Sequence, residues 1–347
     1  MPRLQEDAVL GRLQAAVPGL APGYFALVMA TGIVSTAVAI AGAPVLSTVL
    51  LIVAVVCYLV LAAGYGWRLV SYRREFLADA GDPGKAFSFF TFVAASDVLG
   101  TRLALGGQAW ADGVLLAVAV AAWLVLSYVM PLGLITGHGA GSALAGVNGT
   151  WFLWTVGTQS LVVSLTAFPA PVAGYVTALA VMLWAVGVLL YLLIAGLVLA
   201  GLLHFPVDPA RLTPAYWIFM GATAISVLAG ARVLGLPAQP LLAAVRPVLA
   251  GLSVVLWAFG TWLVPLLIGL GIWRHLLRRV PLRYEPGLWS MVFPLGMHSV
   301  ASWELGRALH VPWLTAAGSA GAWVAFAVWA AVSAAMLASL VSPARSR

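Results

Sequence analysis

Apolar residues run along this chain in blocks long enough to cross a bilayer, about 20 residues each, separated by short stretches rich in arginine, glycine and proline. The blocks fall at 20–42, 45–67, 86–104, 110–131, 148–168, 173–203, 213–236, 247–272, 286–309 and 314–341, a pattern that predicts ten transmembrane helices. They are of two kinds. Even-numbered blocks such as 173–203 are runs of Leu, Val and Ala with few polar side chains, as lipid-facing helices require. Odd-numbered blocks concentrate Gly, Thr, Ser, Asp97, Gln159 and His298, and are expected to form an inner ring.

The odd blocks also share an anchor. An aromatic residue near the start is followed six residues later by a hydroxyl in Phe25 and Thr31, Phe90 and Ser96, Phe152 and Thr158, and Trp217 and Thr223; in the ninth block Trp289 is followed by Leu295. The anchors recur about every 65 residues, which is two helices, so the unit is a helical hairpin used five times. The fold class expected is an all-α polytopic membrane protein, ten helices in five hairpin repeats. The five inner helices then run parallel, and their positive dipole ends gather at one mouth, which favours anions there.

Within the ninth block, Pro286 to His298 places an aromatic ring directly before a proline. Pro294 has no N–H, so the carbonyl of Ser290 loses its helical partner and a kink is expected at Phe293. The ring is either a gate or the filler of a packing kink. If Phe293 faces inward, a rotation of about 100° per residue makes its equivalents Met29, Ala94, Val156 and Gly221. The next layer is then Gly32, Asp97, Gln159, Ala224 and Gly296. Thr31, Ser96, Thr158 and Thr223 are left between helices, bonding back to a carbonyl one turn earlier. His298 points away from the lumen, as an interhelical histidine. Asp97 is an intramembrane carboxylate, a functional candidate by default; a proton-coupling role competes with a structural pair. Glu304 and Arg307, three residues apart, are expected to pair on the surface.

Composition sharpens this picture. A chain of 347 residues that is 63% hydrophobic and 8% charged, with mean hydropathy +1.06, is not a soluble domain. The net charge of +7 is scattered through loops, so no nucleic-acid partner is expected. Thirteen of the 17 basic residues fall at the termini or after even-numbered blocks, leaving Arg102, Arg232, Arg246 and Arg307 on the other side. The positive-inside rule then places both termini in the cytoplasm of a multi-pass cell-membrane protein. Residues 1–19, without the continuous apolar core of a signal peptide, read as a cytoplasmic or interfacial segment, 20–341 as the ten-helix domain and 342–347 as a cytoplasmic tail. Cys57 is the only cysteine, so no intrachain disulfide forms. With ten acidic residues, no Asp-rich motif and five dispersed histidines, neither metal nor cofactor is expected, and a membrane-embedded transferase is a distant alternative. No inner block carries an arginine at mid-depth, so hydroxyls, amides and backbone dipoles are left to hold an anion weakly, which suits rapid passage.

The first block, Pro22-Gly23-Tyr24-Phe25-Ala26-Leu27-Val28-Met29-Ala30-Thr31-Gly32-Ile33, resembles the opening helix of the tellurite-resistance/dicarboxylate transporter family, which includes bacterial tellurite-resistance proteins, yeast malate and sulfite permeases and plant slow anion channels. Asn148 to Phe152 running to Thr158-Gln159-Ser160, and Leu288-Trp289 to Phe293-Pro294, are similar to its fifth and ninth helices. The resemblance covers essentially the whole chain. It implies five hairpins around a central pore in each subunit, a homotrimer, and conduction of small anions: halide, nitrate, sulfite, tellurite or a dicarboxylate. It also implies that Phe293 occludes the pore. The competing expectation is a proton-coupled carrier for C4-dicarboxylates such as malate, or for sulfite or tellurite, with Asp97 as the feature that separates the two.

Overall fold

The computed structural model describes residues 16–137, 143–168, 174–204, 208–210 and 212–341. Most of the expected N-terminal segment and the whole of the expected tail, 342–347, lie outside the described residues. Among the described residues the fold is all-helical, without strands. The long helices are α1 (Ala26–Ile40), α2 (Pro44–Ser71), α3 (Phe90–Leu105), α4 (Ala109–Thr136), α5 (Phe152–Leu165), α6 (Gly174–His204), α7 (Ile218–Leu234), α8 (Pro240–Ile272), α9 (Trp289–Leu309) and α10 (Pro312–Val341). A nine-residue connecting helix, Arg73–Gly81, follows α2.

Local sequence sets these boundaries. Pro44, Pro240 and Pro312 open α2, α8 and α10 at the position where a missing N–H costs nothing. The aromatic anchors mark where the odd-numbered helices begin: Phe90, Phe152 and Trp289 are first residues, and Phe25 and Trp217 immediately precede α1 and α7. A 3-10 turn leads into α3, α5, α7 and α9. At the opposite ends, the turns after α1, α3 and α9 reverse through left-handed residues, Gly42 (φ 86°), Gly107 (φ 90°) and His310 (φ 57°).

Burial divides the helices into two sets. In the most apolar stretches of α3 and α7, 78% and 83% of residues are buried, whereas the figure for the even-numbered helices is 11–28%. The odd helices close a ring: α1 packs on α3, α3 on α5, α5 on α7, α7 on α9 and α9 on α1, and the even helices cover it outside. Among the described residues, seven helices are long and apolar enough to cross a membrane on those grounds alone. Ten such helices were expected from the hydrophobic blocks; α1, α5 and α9 fall short, and all three belong to the buried ring. α1 and α5 are short, at 15 and 14 residues, while α9 is long enough but less apolar; a helix surrounded by protein is not held to the length and hydropathy of one facing lipid.

Ring and cover are joined by a belt of hydrogen bonds. Each even helix presents one aromatic polar group to the next odd helix. Tyr58 pairs with Ser96 Oγ at 2.8 Å, and Trp123 Nε1 donates to Thr158 Oγ1 at 2.9 Å. Trp184 Nε1 donates to the Ser226 carbonyl at 2.9 Å and Trp257 Nε1 to Ser302 Oγ at 2.8 Å. The circuit closes where Trp329 Nε1 donates to Thr31 Oγ1 at 3.0 Å. Ser96 and Thr158 each donate in turn to a carbonyl four residues back, as expected for hydroxyls lying between helices. Thr223 donates to a carbonyl three residues back, that of Met220, at 2.6 Å.

Candidate functional site

Two cavities are lined by residues from all five inner helices or the turns leading into them. The larger, about 600 Å³, is a vestibule at the helix starts, bordered by Gly23, Ser88, Thr91, Thr150, Leu153, Thr213, Ala215 and Ser290. The smaller, about 20 Å³, lies toward the helix ends, among Ile33, Thr36, Asp97, Val98, Thr101, Ser160, Val163, Ile225, Leu228, Arg232, Met297 and Val300. That five N-terminal ends border one cavity and five C-terminal halves the other means that the inner helices run parallel. The smaller volume holds about one water.

Each inner helix passes from vestibule to cavity along one face. On α9 the steps are Ser290, then Met297 and Val300; on α3 and the turn leading into it they are Ser88 and Thr91, then Asp97, Val98 and Thr101. Phe293 and Ala94 fall midway between these positions, as do Met29, Val156 and Gly221 on their own helices. Phe293, Ala94 and Val156 are fully buried and Met29 is 2% exposed, so no open passage joins the two cavities at this level. α9 continues as a helix through Pro294, whose ring lies against α7: a Cβ placed on Gly221 would come within 2.8 Å of Pro294 Cγ.

The second expected layer is rotated. Asp97 borders the small cavity, but the other members are replaced there by the next residue along: Ile33 for Gly32, Ser160 for Gln159, Ile225 for Ala224 and Met297 for Gly296. One residue is about 100° of helix rotation. Gln159 is turned outward, its Nε2 donating to the Trp184 carbonyl on α6 at 3.1 Å. Gly32 and Gly296 are close-packing points, where an added Cβ would lie 3.0 Å from Val98 and 2.9 Å from Ile33. Ala224 is buried and does not border the cavity.

The polar groups at the small cavity are unevenly satisfied. Ser160 Oγ donates to Asp97 Oδ2 at 2.6 Å, while Asp97 Oδ1 finds no partner among the described residues. Thr101 Oγ1 and Arg232 Nε are also buried without one. Arg232 Nη2 pairs with Glu304 Oε1 at 2.8 Å, bridging α7 and α9. This corrects the expected Glu304–Arg307 pair: Arg307 lies 4.7 Å over the Trp303 ring instead. His298 faces away from the cavity, stacked on Trp257 of α8 and 3.2 Å from Thr261 Oγ1.

At the vestibule, Asp79 of the connecting helix holds two cations, Arg68 at 2.6 Å and Lys85 at 2.8 Å. Burial works to raise the Asp79 carboxyl, but hydrogen bonds and charge from Lys85 and Arg68 outweigh it and hold the group below its ordinary value. Lys85 is raised by its hydrogen bond to Asp79.

Arg232, Thr101, Ser160 and the buried Asp112, bonded by Ser164 at 2.7 Å, were not singled out by sequence reasoning. Arg232 counted there as an outer-loop charge. A signal existed: Arg232 and Glu304 both lie 15 residues beyond their anchors, Trp217 and Trp289, on adjacent inner helices.

A family model described as voltage-dependent anion channel (SLAC1) matches residues 19–337. An uncharacterized membrane protein of Mycobacterium tuberculosis is 51% identical over 148 residues, 43% of this chain and 75% of the relative. Two uncharacterized transporters of Methanocaldococcus jannaschii are similar over most of their length. One is 22% identical across 90% of this chain and 91% of its own; the other is 23% identical across 84% and 86%.

Proposed function

Because the chain belongs to the voltage-dependent anion channel family, we propose that it carries small anions along the axis of its five inner helices, with the Phe293 ring closing the path. The observation that carries this reading is the alignment of two five-helix cavities on one helix face, separated by a buried layer at the depth of Phe293. A hydrophobic constriction of this kind blocks ions by excluding the water they need. The path runs from a basic cytoplasmic mouth to the outer face, and the ten helices act as five hairpin repeats spanning the cell membrane with both termini inside. The subunit works within a homotrimer, and its cargo is drawn from halide, nitrate, sulfite, tellurite or a dicarboxylate.

Phe293→Ala tests the gate. Water can fill the vacated space, so the variant is expected to fold and to raise anion flux into proteoliposomes severalfold. A side chain that serves only as core would instead cost about 3–5 kcal/mol on truncation, lowering the yield of folded protein. A stable variant with unchanged or reduced flux refutes the gate.

A second reading, proton-coupled transport, is favoured by one observation: Asp97 borders the small cavity with a carboxyl oxygen that has no partner among the described residues.

A further inference from the structure

Three of the residues that line the small cavity each carry a buried polar atom without a partner among the described residues: Asp97 Oδ1, Thr101 Oγ1 and Arg232 Nε. Asp97 is 1% exposed and Thr101 6% exposed, and both border the cavity. Buried polar groups are rarely left unpaired, because each costs its full desolvation. Three around one water-sized space mark a place built for an occupant.

The donor set limits what that occupant is. A hydroxyl and a guanidinium N–H both donate, which suits an anion. Asp97 as a carboxylate would repel one; as a carboxylic acid it supplies a third donor from Oδ1, while Oδ2 continues to accept from Ser160. Glu304 already balances the charge of Arg232, so without a proton the site carries a net charge of −1. We propose that the Asp97–Thr101–Arg232 cavity is a binding site for one small monovalent anion, taken up together with one proton on Asp97. This rests on the transport reading and deepens it by naming the site and the size class of its cargo. The proton comes from water and no covalent bond changes. A cavity of about 20 Å³, room for a single water, suits a halide-sized ion; a C4-dicarboxylate does not fit without parting the helices.

Neighbouring charges set the context. α1 and α5 carry no titratable side chain. From α2 comes Tyr58, bonded to Ser96 beside Asp97, and from α4 comes Asp112, packed against Gly100. On α3 itself Arg102 is turned to Ser35 and Ser47, at 3.0 and 2.7 Å. Arg232 with Glu304 stands on the α7 and α9 side.

The test is proton uptake when sodium chloride is added to purified, weakly buffered protein, alongside chloride flux from proteoliposomes at a series of symmetric pH values. Wild type is expected to take up about one proton per site and to transport severalfold faster as pH falls. Asp97→Asn should lose the uptake and transport independently of pH. Thr101→Val, and the charge-neutral pair Arg232→Gln with Glu304→Gln, should raise the half-saturating chloride concentration roughly tenfold or more, the loss expected for one hydrogen bond to a charged group. Proton uptake that persists in Asp97→Asn, or half-saturation unchanged in both other variants, overturns the site while leaving anion transport standing. Chloride-linked uptake without flux in any protein, Phe293→Ala included, overturns transport and leaves the site. Neither uptake nor flux overturns both.

Discussion

Asp79 takes two cations out of the vestibule's field, and its own titration decides when they are released. Its carboxyl is held below the usual range by Lys85 and Arg68 against the opposing effect of burial, so the ties contribute stability above the ordinary value, about 3.9, and lose it as pH falls through the lowered one. Lys85 is raised by the same partner, so its contribution is complete below about 10.4 and is lost only as pH rises through the higher value. Docking of the helix Arg73–Gly81 should therefore stay flat between those limits and loosen only in stronger acid or base. Hydrogen exchange in 73–81, corrected for intrinsic rates, checks this; loosening near neutral pH would contradict it. Asp79→Asn should also free Arg68 and Lys85 to attract anions, raising flux at low ionic strength by an amount that fades as salt screens the charges. None of this network was legible in the sequence, where Arg68 and Lys85 read as two more loop charges. Asp79 meets them only because the connecting helix folds back over the end of α2.

At the scale of the helices, close contact rather than hydropathy fixes how ring and cover meet. Gly318 on α10 abuts α9 so tightly that an added Cβ would lie 2.5 Å from the Trp303 nitrogen and 2.7 Å from the Ser299 carbonyl. Backbone cannot yield as a flexible side chain can, so Gly318→Ala should cost about 1–3 kcal/mol. Gly251→Ala on α8, with nothing within 4 Å, should be neutral or gain up to about 1 kcal/mol. Thermal unfolding of the two purified variants separates them, and equal effects would mean that α9 and α10 are not locked at this point. The hydrogen-bond belt adds a smaller quantity. A double-mutant cycle of Trp329→Phe with Thr31→Val should return about 0.6 kcal/mol, the usual size of such bonds within a membrane. Where the inner helices begin was readable from the aromatic anchors, since a large ring marks the entry into each of them. Their rotational phase was not. Gly32 and Gly296 are small because neighbouring helices approach there, and Gln159 is polar because Trp184 offers it a carbonyl. A uniform step of about 100° per residue from an inward Phe293 pointed those three residues at the lumen.

For the whole molecule, the ring explains why three of the ten expected spans look weak. At about 1.5 Å per residue, the 15 residues of α1 reach about 22 Å, short of a hydrocarbon core of about 30 Å; the vestibule lies at the end where longer helices would continue. If the proposed path opens here, water entering from the basic face would carry its charged end partway into the bilayer, and the buried helices would need only to hold the remainder. Which compartment this face meets follows from charge. By sequence, thirteen of 17 basic residues fall at the termini or after even-numbered helices, and of the other four, Arg102 and Arg232 are engaged within the helix bundle instead of standing in loops. The asymmetry of thirteen against four is the kind that orients a membrane protein during insertion, and the vestibule should face the cytoplasm. In a Cys57→Ser background, Arg74→Cys on the exposed connecting helix should resist a membrane-impermeant maleimide in intact cells and react after lysis. Gln108→Cys, exposed in the turn between α3 and α4, should react without lysis. Labelling of Arg74→Cys from outside, with Gln108→Cys protected, would invert the molecule and place its basic mouth on the outer surface.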